Sequence, residues 1–259
     1  MVDVVVAGAT GKLGSLVCKL MAGRRDMRLV GAVVSAEGGN VGREIAPGVR
    51  AVGPDGLENA LEQADVFVDL TVADVAMADL RRAIPAGVNC VVGSTGLSDA
   101  FLCELDEMAA AAGSSVVQTF NFSVGVNIFW KTCVDLAIKL PEYEIEIIEL
   151  HHDKKKDAPS GTALKAAQLM AQATGVNKFV HGREGMVGAR GREIGIHAVR
   201  IGDVVGEHTV IFAGNKERLE LTHRAHSREA FAEGCIQAIL WVAERKDGRV
   251  HGMAEVLGI

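Results

Sequence analysis

A loop of three glycines between an apolar run and a helical pattern constrains this chain more than any other feature. Gly8-Ala9-Thr10-Gly11-Lys12-Leu13-Gly14 follows Val2–Ala7, whose apolar run reads as a buried strand. It opens the pattern Lys12–Met21, which sets Leu13, Leu16, Val17 and Leu20 on one helical face. Glycines so spaced permit a tight turn, close approach of backbone to a pyrophosphate, and close helix packing. The helix N-terminus adds unpaired N–H groups and the positive end of a dipole. The loop thus predicts dinucleotide binding by Gly8, Ala9, Thr10, Gly11, Lys12 and Leu13, with a GxxGxxG spacing in place of the commoner GxGxxG.

The pattern repeats beyond the loop. Leu29–Val34, Val66–Leu70, Val88–Val92 and Ser115–Val117 read as further strands, with helices expected at Ala73–Ile84 and, capped by Ser98, at Asp99–Ala112. Such alternation implies an α/β fold with a doubly wound parallel sheet. Ligands bind outside the carboxyl ends of strands in such sheets, which marks Asp69-Leu70-Thr71 and Gly93-Ser94-Thr95-Gly96. An acid is expected at the end of the second strand, where it would grip the ribose; Ser35 stands nearest that place. After Gly125 the pattern changes. A helix at Val126–Lys139 is followed by Ile145 and Ile147 alternating with Glu144 and Glu146, then by a helix from Gly161 to about Ala173. Glu193–Ile201, Val204–Ala213 and Glu217–His223 read as an antiparallel meander, and Ser227 as the cap of a last long helix.

The stretch His151-His152-Asp153-Lys154-Lys155-Lys156-Asp157-Ala158-Pro159-Ser160-Gly161-Thr162 carries the densest chemistry. Two histidines can move protons near neutrality, and three lysines form an anion site. Ser160 caps the next helix, whose first N–H groups, at Gly161 and Thr162, can meet a carboxylate. The net charge of −6 excludes a nucleic-acid face, which needs dense Lys and Arg. No HExxH and no CxxC occur, so neither a zinc centre nor a disulfide framework is expected. Five scattered cysteines suit free thiols in the cytoplasm, and the chain starts with no signal-peptide pattern. The longest uncharged stretch, Met108–Trp130, contains Gln118, Asn121 and Asn127 and does not read as a membrane helix.

Over its whole length the sequence resembles 4-hydroxy-tetrahydrodipicolinate reductase (dihydrodipicolinate reductase). The carriers are Val6–Gly11, Asp69–Thr71, Gly93–Gly96, Asn121–Asn127 and, above all, His151-His152 through Ala158-Pro159-Ser160-Gly161-Thr162-Ala163. The resemblance implies a Rossmann domain of residues 1–125 plus 231–259, around an α+β domain of 126–230 with a mixed or antiparallel sheet that binds substrate and builds a homotetramer. It implies hydride transfer from NADH or NADPH to a small cyclic imine dicarboxylate, without a metal, in diaminopimelate and lysine biosynthesis. By the same resemblance His151 and Lys155 match proton donors, and His152, Ser160, Gly161 and Thr162 match substrate contacts. Gly93, Ser94, Thr95, Thr119, Phe120, Asn121 and Phe122 match cofactor contacts, as does Ser35. Ser35 and Ala36 replace an acid and, in some members, an arginine, while Thr119 and Phe120 replace small residues; the choice between the two cofactors stays open. Hinges are expected near Gly125–Asn127 and near Gly234. Two other readings stand beside this one: another nicotinamide oxidoreductase of related build, such as an amino-acid dehydrogenase, and a non-catalytic dinucleotide sensor, which would have no need of the His/Lys loop.

Overall fold

A computed structural model describes residues 1–259. In chain order the elements are β1 (Val2–Ala7), α1 (Gly14–Ala22), β2 (Met27–Val33), β3 (Glu44–Ala46), β4 (Val49–Arg50), α2 (Leu57–Leu61), β5 (Val66–Asp69), α3 (Ala73–Ala83), β6 (Asn89–Val92), α4 (Asp99–Ala112) and β7 (Val116–Gln118). There follow α5 (Val124–Lys139), β8 (Glu144–His151), α6 (Gly161–Thr174), β9 (Phe179–His181), β10 (Ile194–Arg200), β11 (Glu207–Gly214) and β12 (Glu217–Arg224). The last are α7 (Glu229–Ala243), β13 (Val250–His251) and α8 (Met253–Leu257). No helix is long and apolar enough to cross a membrane.

Contacts divide the chain into two units, Met1–Val124 with Glu229–Ile259, and Gly125–Arg228. The first unit is built on a six-stranded sheet, ordered β13-β7-β6-β5-β1-β2, in which every pairing is parallel. Alternation along β1 sends Val4 and Val6 into a core with α1 and α7, and Val5 and Ala7 into a core with α2, α3 and α4. Helices therefore cover both faces, as expected for a doubly wound Rossmann-like sheet. The first helix begins at Gly14 rather than Lys12, because the turn is closed by Gly11 N–H donating to the Gly8 carbonyl at 2.8 Å.

One buried amide ties the amino end of this sheet to α7. Asn89 donates from Nδ2 to the carbonyls of Val242 (2.9 Å) and Arg245 (2.8 Å), and its Oδ1 accepts from Ser115 N–H at 2.9 Å. Gly234 is not a hinge. It lies inside α7, buried, where an added Cβ would meet the Phe122 carbonyl oxygen at 1.8 Å.

The second unit has a five-stranded sheet, ordered β12-β11-β8-β10-β9. The expected antiparallel meander is not what forms: β10 runs parallel to β8 and β9, and β8 separates β10 from β11. The cause is the crossover that carries α6 between β8 and β10, since parallel neighbours need a long connection. Only β11 and β12 form the expected hairpin, and β11 starts at Glu207, not Val204. Ile145, Ile147, Ile194, Ile196, Val210 and Phe212 face α5 and α6 in one core.

Gly234→Ala is expected to destabilise the protein by about 3 kcal/mol, the upper range for forcing a group into a packed core. Urea denaturation followed by circular dichroism checks this; a loss under about 0.5 kcal/mol would show that the close approach is not needed.

Candidate active site

The glycine loop lies at the carboxyl end of β1. Gly8 adopts φ +77°, and a Cβ there would lie 2.6 Å from the Leu70 carbonyl oxygen. A Cβ on Gly14 would lie 2.2 Å from the Gly8 carbonyl oxygen, so both positions require glycine. The amides of Gly8 and Ala9 donate to the Val33 carbonyl, at 3.0 and 3.4 Å, and that of Gly11 is used in the turn. This leaves the amides of Thr10, Lys12 and Leu13 to face an anion, at a helix whose N-cap, Leu13, supplies no side-chain cap. The cradle fits a dinucleotide pyrophosphate. Ser35, exposed just past β2, accepts from the Glu37 amide at 3.3 Å.

Because the strands are parallel, the ends of β5, β6 and β7 bring the other expected residues to the same edge. Asp69 closes β5 fully buried, accepting hydrogen bonds from the Thr71 hydroxyl at 2.5 Å and from the Ser94 hydroxyl. Burial raises its pKa against those two bonds. Ser94 also donates to the Thr71 carbonyl at 2.9 Å, so the turns after β5 and β6 are tied together. Gly93 leaves room for Phe122, whose ring would lie 2.5 Å from an added Cβ. Thr95 and Phe120 are exposed, whereas Thr119 and Phe122 are buried. The Thr119 hydroxyl accepts from the Asn121 amide, and Asn121 Oδ1 accepts from the Ser123 amide. Gln118, at the end of β7, has a buried Nε2 without a partner.

In the second unit the buried face of β8 changes character along its length. Ile145 and Ile147 are core; the next two inward positions are Glu149 and His151. Register places His208 beside Glu149, Arg200 beside His151, and His223 beside His208. Glu149 is fully buried. Its Oε2 lies 2.5 Å from His151 Nδ1, Arg200 grips both its oxygens at 2.9 Å, and Oε1 accepts the Ser160 amide at 3.0 Å. Burial pushes its pKa up, but the bonds from His151, Arg200 and the Ser160 amide together outweigh it and hold the carboxyl at about 2. His208 is pushed down to about 3 by burial and then by the charge of His151, so it is neutral at physiological pH. Its ring stands edge-on to His151 with centroids 5.2 Å apart.

The expected loop residues separate into three groups. His151 is buried, Lys155 is half-buried and paired with Asp157 at 2.9 Å, and His152 carries a buried Nδ1 without a partner. Lys154 and Lys156 are exposed. Ser160 is 2 % exposed, its hydroxyl accepting from Ala163 N–H (3.2 Å) and lying 3.0 Å from His208 Nε2; it serves as the cap of α6. Gly161 and Thr162 begin α6, and a Cβ on Gly161 would meet nothing within 4 Å. No group of three His, Cys, Asp or Glu side chains is placed to hold a metal ion. Sequence reasoning missed Glu149, Arg200 and His208 as parts of one cluster. Carrying the Ile145, Ile147 alternation two steps further would have turned Glu149 and His151 inward; nothing in the sequence paired Arg200 with them.

The family model for the N-terminus of dihydrodipicolinate reductase matches residues 2–122, and that for its C-terminus matches 125–257. The 4-hydroxy-tetrahydrodipicolinate reductase of Methanosarcina barkeri is 43% identical, with 100% of each chain covered. That of Methanocaldococcus jannaschii is 44% identical, covering 100% of this chain and 98% of its own. The structure of a dipicolinate-bound dihydrodipicolinate reductase from a Paenisporosarcina species superposes with a TM-score of 0.83, at 28% identity, over 98% of each chain. Matched in both units and from end to end, the chain belongs to the dihydrodipicolinate reductase family.

Proposed function

We propose that this chain is the NAD(P)H-dependent reductase that converts 4-hydroxy-tetrahydrodipicolinate to tetrahydrodipicolinate in diaminopimelate and lysine biosynthesis. The observation that carries this reading is the His151 cluster beside the capped N-terminus of α6, in a chain that matches the family along its full length. The amides of Thr10, Lys12 and Leu13 and the edge formed by Gly93–Thr95 and Thr119–Phe122 would hold the nicotinamide cofactor, which would supply the hydride, while the hydroxyl of the ring leaves as water. Reduction of the conjugated imine puts negative charge on the ring nitrogen, which needs a proton or a cation nearby. His151 supplies the proton from Nε2, which no protein group bonds. Lys155 supplies positive charge from a side chain steadied by Asp157. Amides of Gly161 and Thr162, at the positive end of the α6 dipole, and His152 hold the two carboxylates. Five free cysteines, four of them buried, suit a reducing cytoplasm.

The second unit also supports assembly. Helices α5 and α6 cover one face of its sheet, while Ile148, Leu150, Val199 and Ile211 lie on the other, partly exposed. A sheet face of this kind is stable when another copy covers it, which supports a homotetramer.

Three outcomes are expected. His151→Gln lowers kcat by roughly 10²- to 10⁴-fold with little change in KM, whereas Lys155→Ala lowers kcat and raises KM; Lys154→Ala and Lys156→Ala are mild. Steady-state kinetics checks this, and near-normal turnover of H151Q removes His151 as the acid. NADH and NADPH serve within about tenfold of each other, or about 1.4 kcal/mol, and Ser35→Asp shifts preference toward NADH. A hundredfold preference in the unaltered protein contradicts that. Sedimentation at micromolar protein should show a closed oligomer, and a stable monomer counts against the covered sheet face.

A further inference from the structure

The two nitrogens of His151 have different surroundings. Nδ1 lies 2.5 Å from Glu149 Oε2, while Nε2 has no protein partner. Close to Nε2 stands Gly206, where an added Cβ would lie 3.0 Å from that nitrogen and 3.4 Å from Cδ2. Gly206 has no left-handed φ, so local backbone strain does not demand glycine there. A side chain there would instead crowd the imidazole at Nε2.

Glu149 is held ionised. Arg200 donates one Nη to each carboxylate oxygen, and the Ser160 amide donates to Oε1. A bidentate guanidinium and a backbone N–H both favour the charged form. An ionised carboxylate only accepts hydrogen bonds, so Nδ1 of His151 must be the donor. When the ring gives up a proton it keeps the one on Nδ1, and the proton it gives comes from Nε2. The same carboxylate fixes the amide of the α6 cap residue, so the proton-bearing ring and the N–H groups of Gly161 and Thr162 are set against one reference point.

We propose that Glu149, held by Arg200, is the positioning residue that makes Nε2 of His151 the proton-delivering atom, and that Gly206 keeps that atom accessible. This rests on the reading of His151 as the proton donor. Glu149 is fully buried with both oxygens already bonded, so it acts through the ring.

The test uses the full-length protein labelled with ¹⁵N-histidine, with H151Q identifying the resonances of that ring. Imidazole ¹⁵N shifts separate the two neutral tautomers. The unaltered protein is expected in the Nδ1–H form, and E149Q, whose amide nitrogen can donate to Nδ1, in the Nε2–H form. E149Q should lose roughly 10²-fold or more in kcat with KM kept within about threefold, because its amide oxygen still accepts from the Ser160 amide; E149D should recover the Nδ1–H form. If the unpaired Arg200 keeps E149Q from folding, the double variant E149Q/R200Q removes both charges together and reads the same tautomer. G206A should lower kcat while leaving the tautomer and melting temperature unchanged. An unaltered protein in the Nε2–H form, or an E149Q tautomer that does not move, overturns the role of Glu149. Full kcat in G206A overturns that of Gly206. Normal turnover in H151Q overturns instead the assignment of the donor, and the tautomer comparison tells the two failures apart.

Discussion

A charge buried without compensation would cost several kcal/mol, and the second unit holds one in full burial at Glu149. Everything around it follows from meeting that cost. Arg200 reaches it from the neighbouring strand, β10, in the parallel register that sets Arg200 beside His151. Ser160 must bring its amide to Oε1, which fixes where α6 starts and therefore where the N–H groups of its first turn point. His151 must donate through Nδ1, which leaves Nε2 without a protein partner. Removing either Glu149 or Arg200 alone would leave a buried ion unpaired, so the cluster tolerates loss as a pair better than loss of one member.

The first unit solves a different problem with backbone alone. An anionic cofactor must approach closer than side chains allow, and the glycines at 8 and 14 bring two stretches of main chain within a distance that any Cβ would prevent. Lys12 is exposed, and the amides of Thr10, Lys12 and Leu13 have no backbone partner in the turn. At the neighbouring parallel strand ends, the Asp69, Thr71 and Ser94 bonds hold two adjacent turns together.

Much of this was legible in the residues and some was not. Local signals were reliable: the apolar run at Val2–Ala7, the caps Ser98 and Ser160, and the alternation at Ile145 and Ile147 all act within a few residues of chain. The strand order of the second sheet was not readable, because alternation is the same for a parallel and an antiparallel neighbour. That one ambiguity hid the Arg200 pairing, since Arg200 meets Glu149 across 51 positions of sequence. Likewise the loop histidines stood out while His208, deep on the same face, looked like any strand residue. Ser160 shows both sides. Its capping role was visible, but the contact of the same hydroxyl with His208, 48 positions away, was not.

The chain leaves the first unit at Val124 and returns to it at Glu229. During synthesis, β1 through β7 emerge with one sheet face still lacking α7, and Phe122, Val68 and Val117 wait for Cys235, Ile236 and Ile239 to cover them. Asn89, too, waits more than 150 residues for the carbonyls it will bind. The second unit has no such delay, because residues 125–228 are contiguous and complete their own core. The interrupted domain therefore finishes last although it begins first, and its exposed apolar face is the stretch of the nascent molecule most in need of protection from self-association.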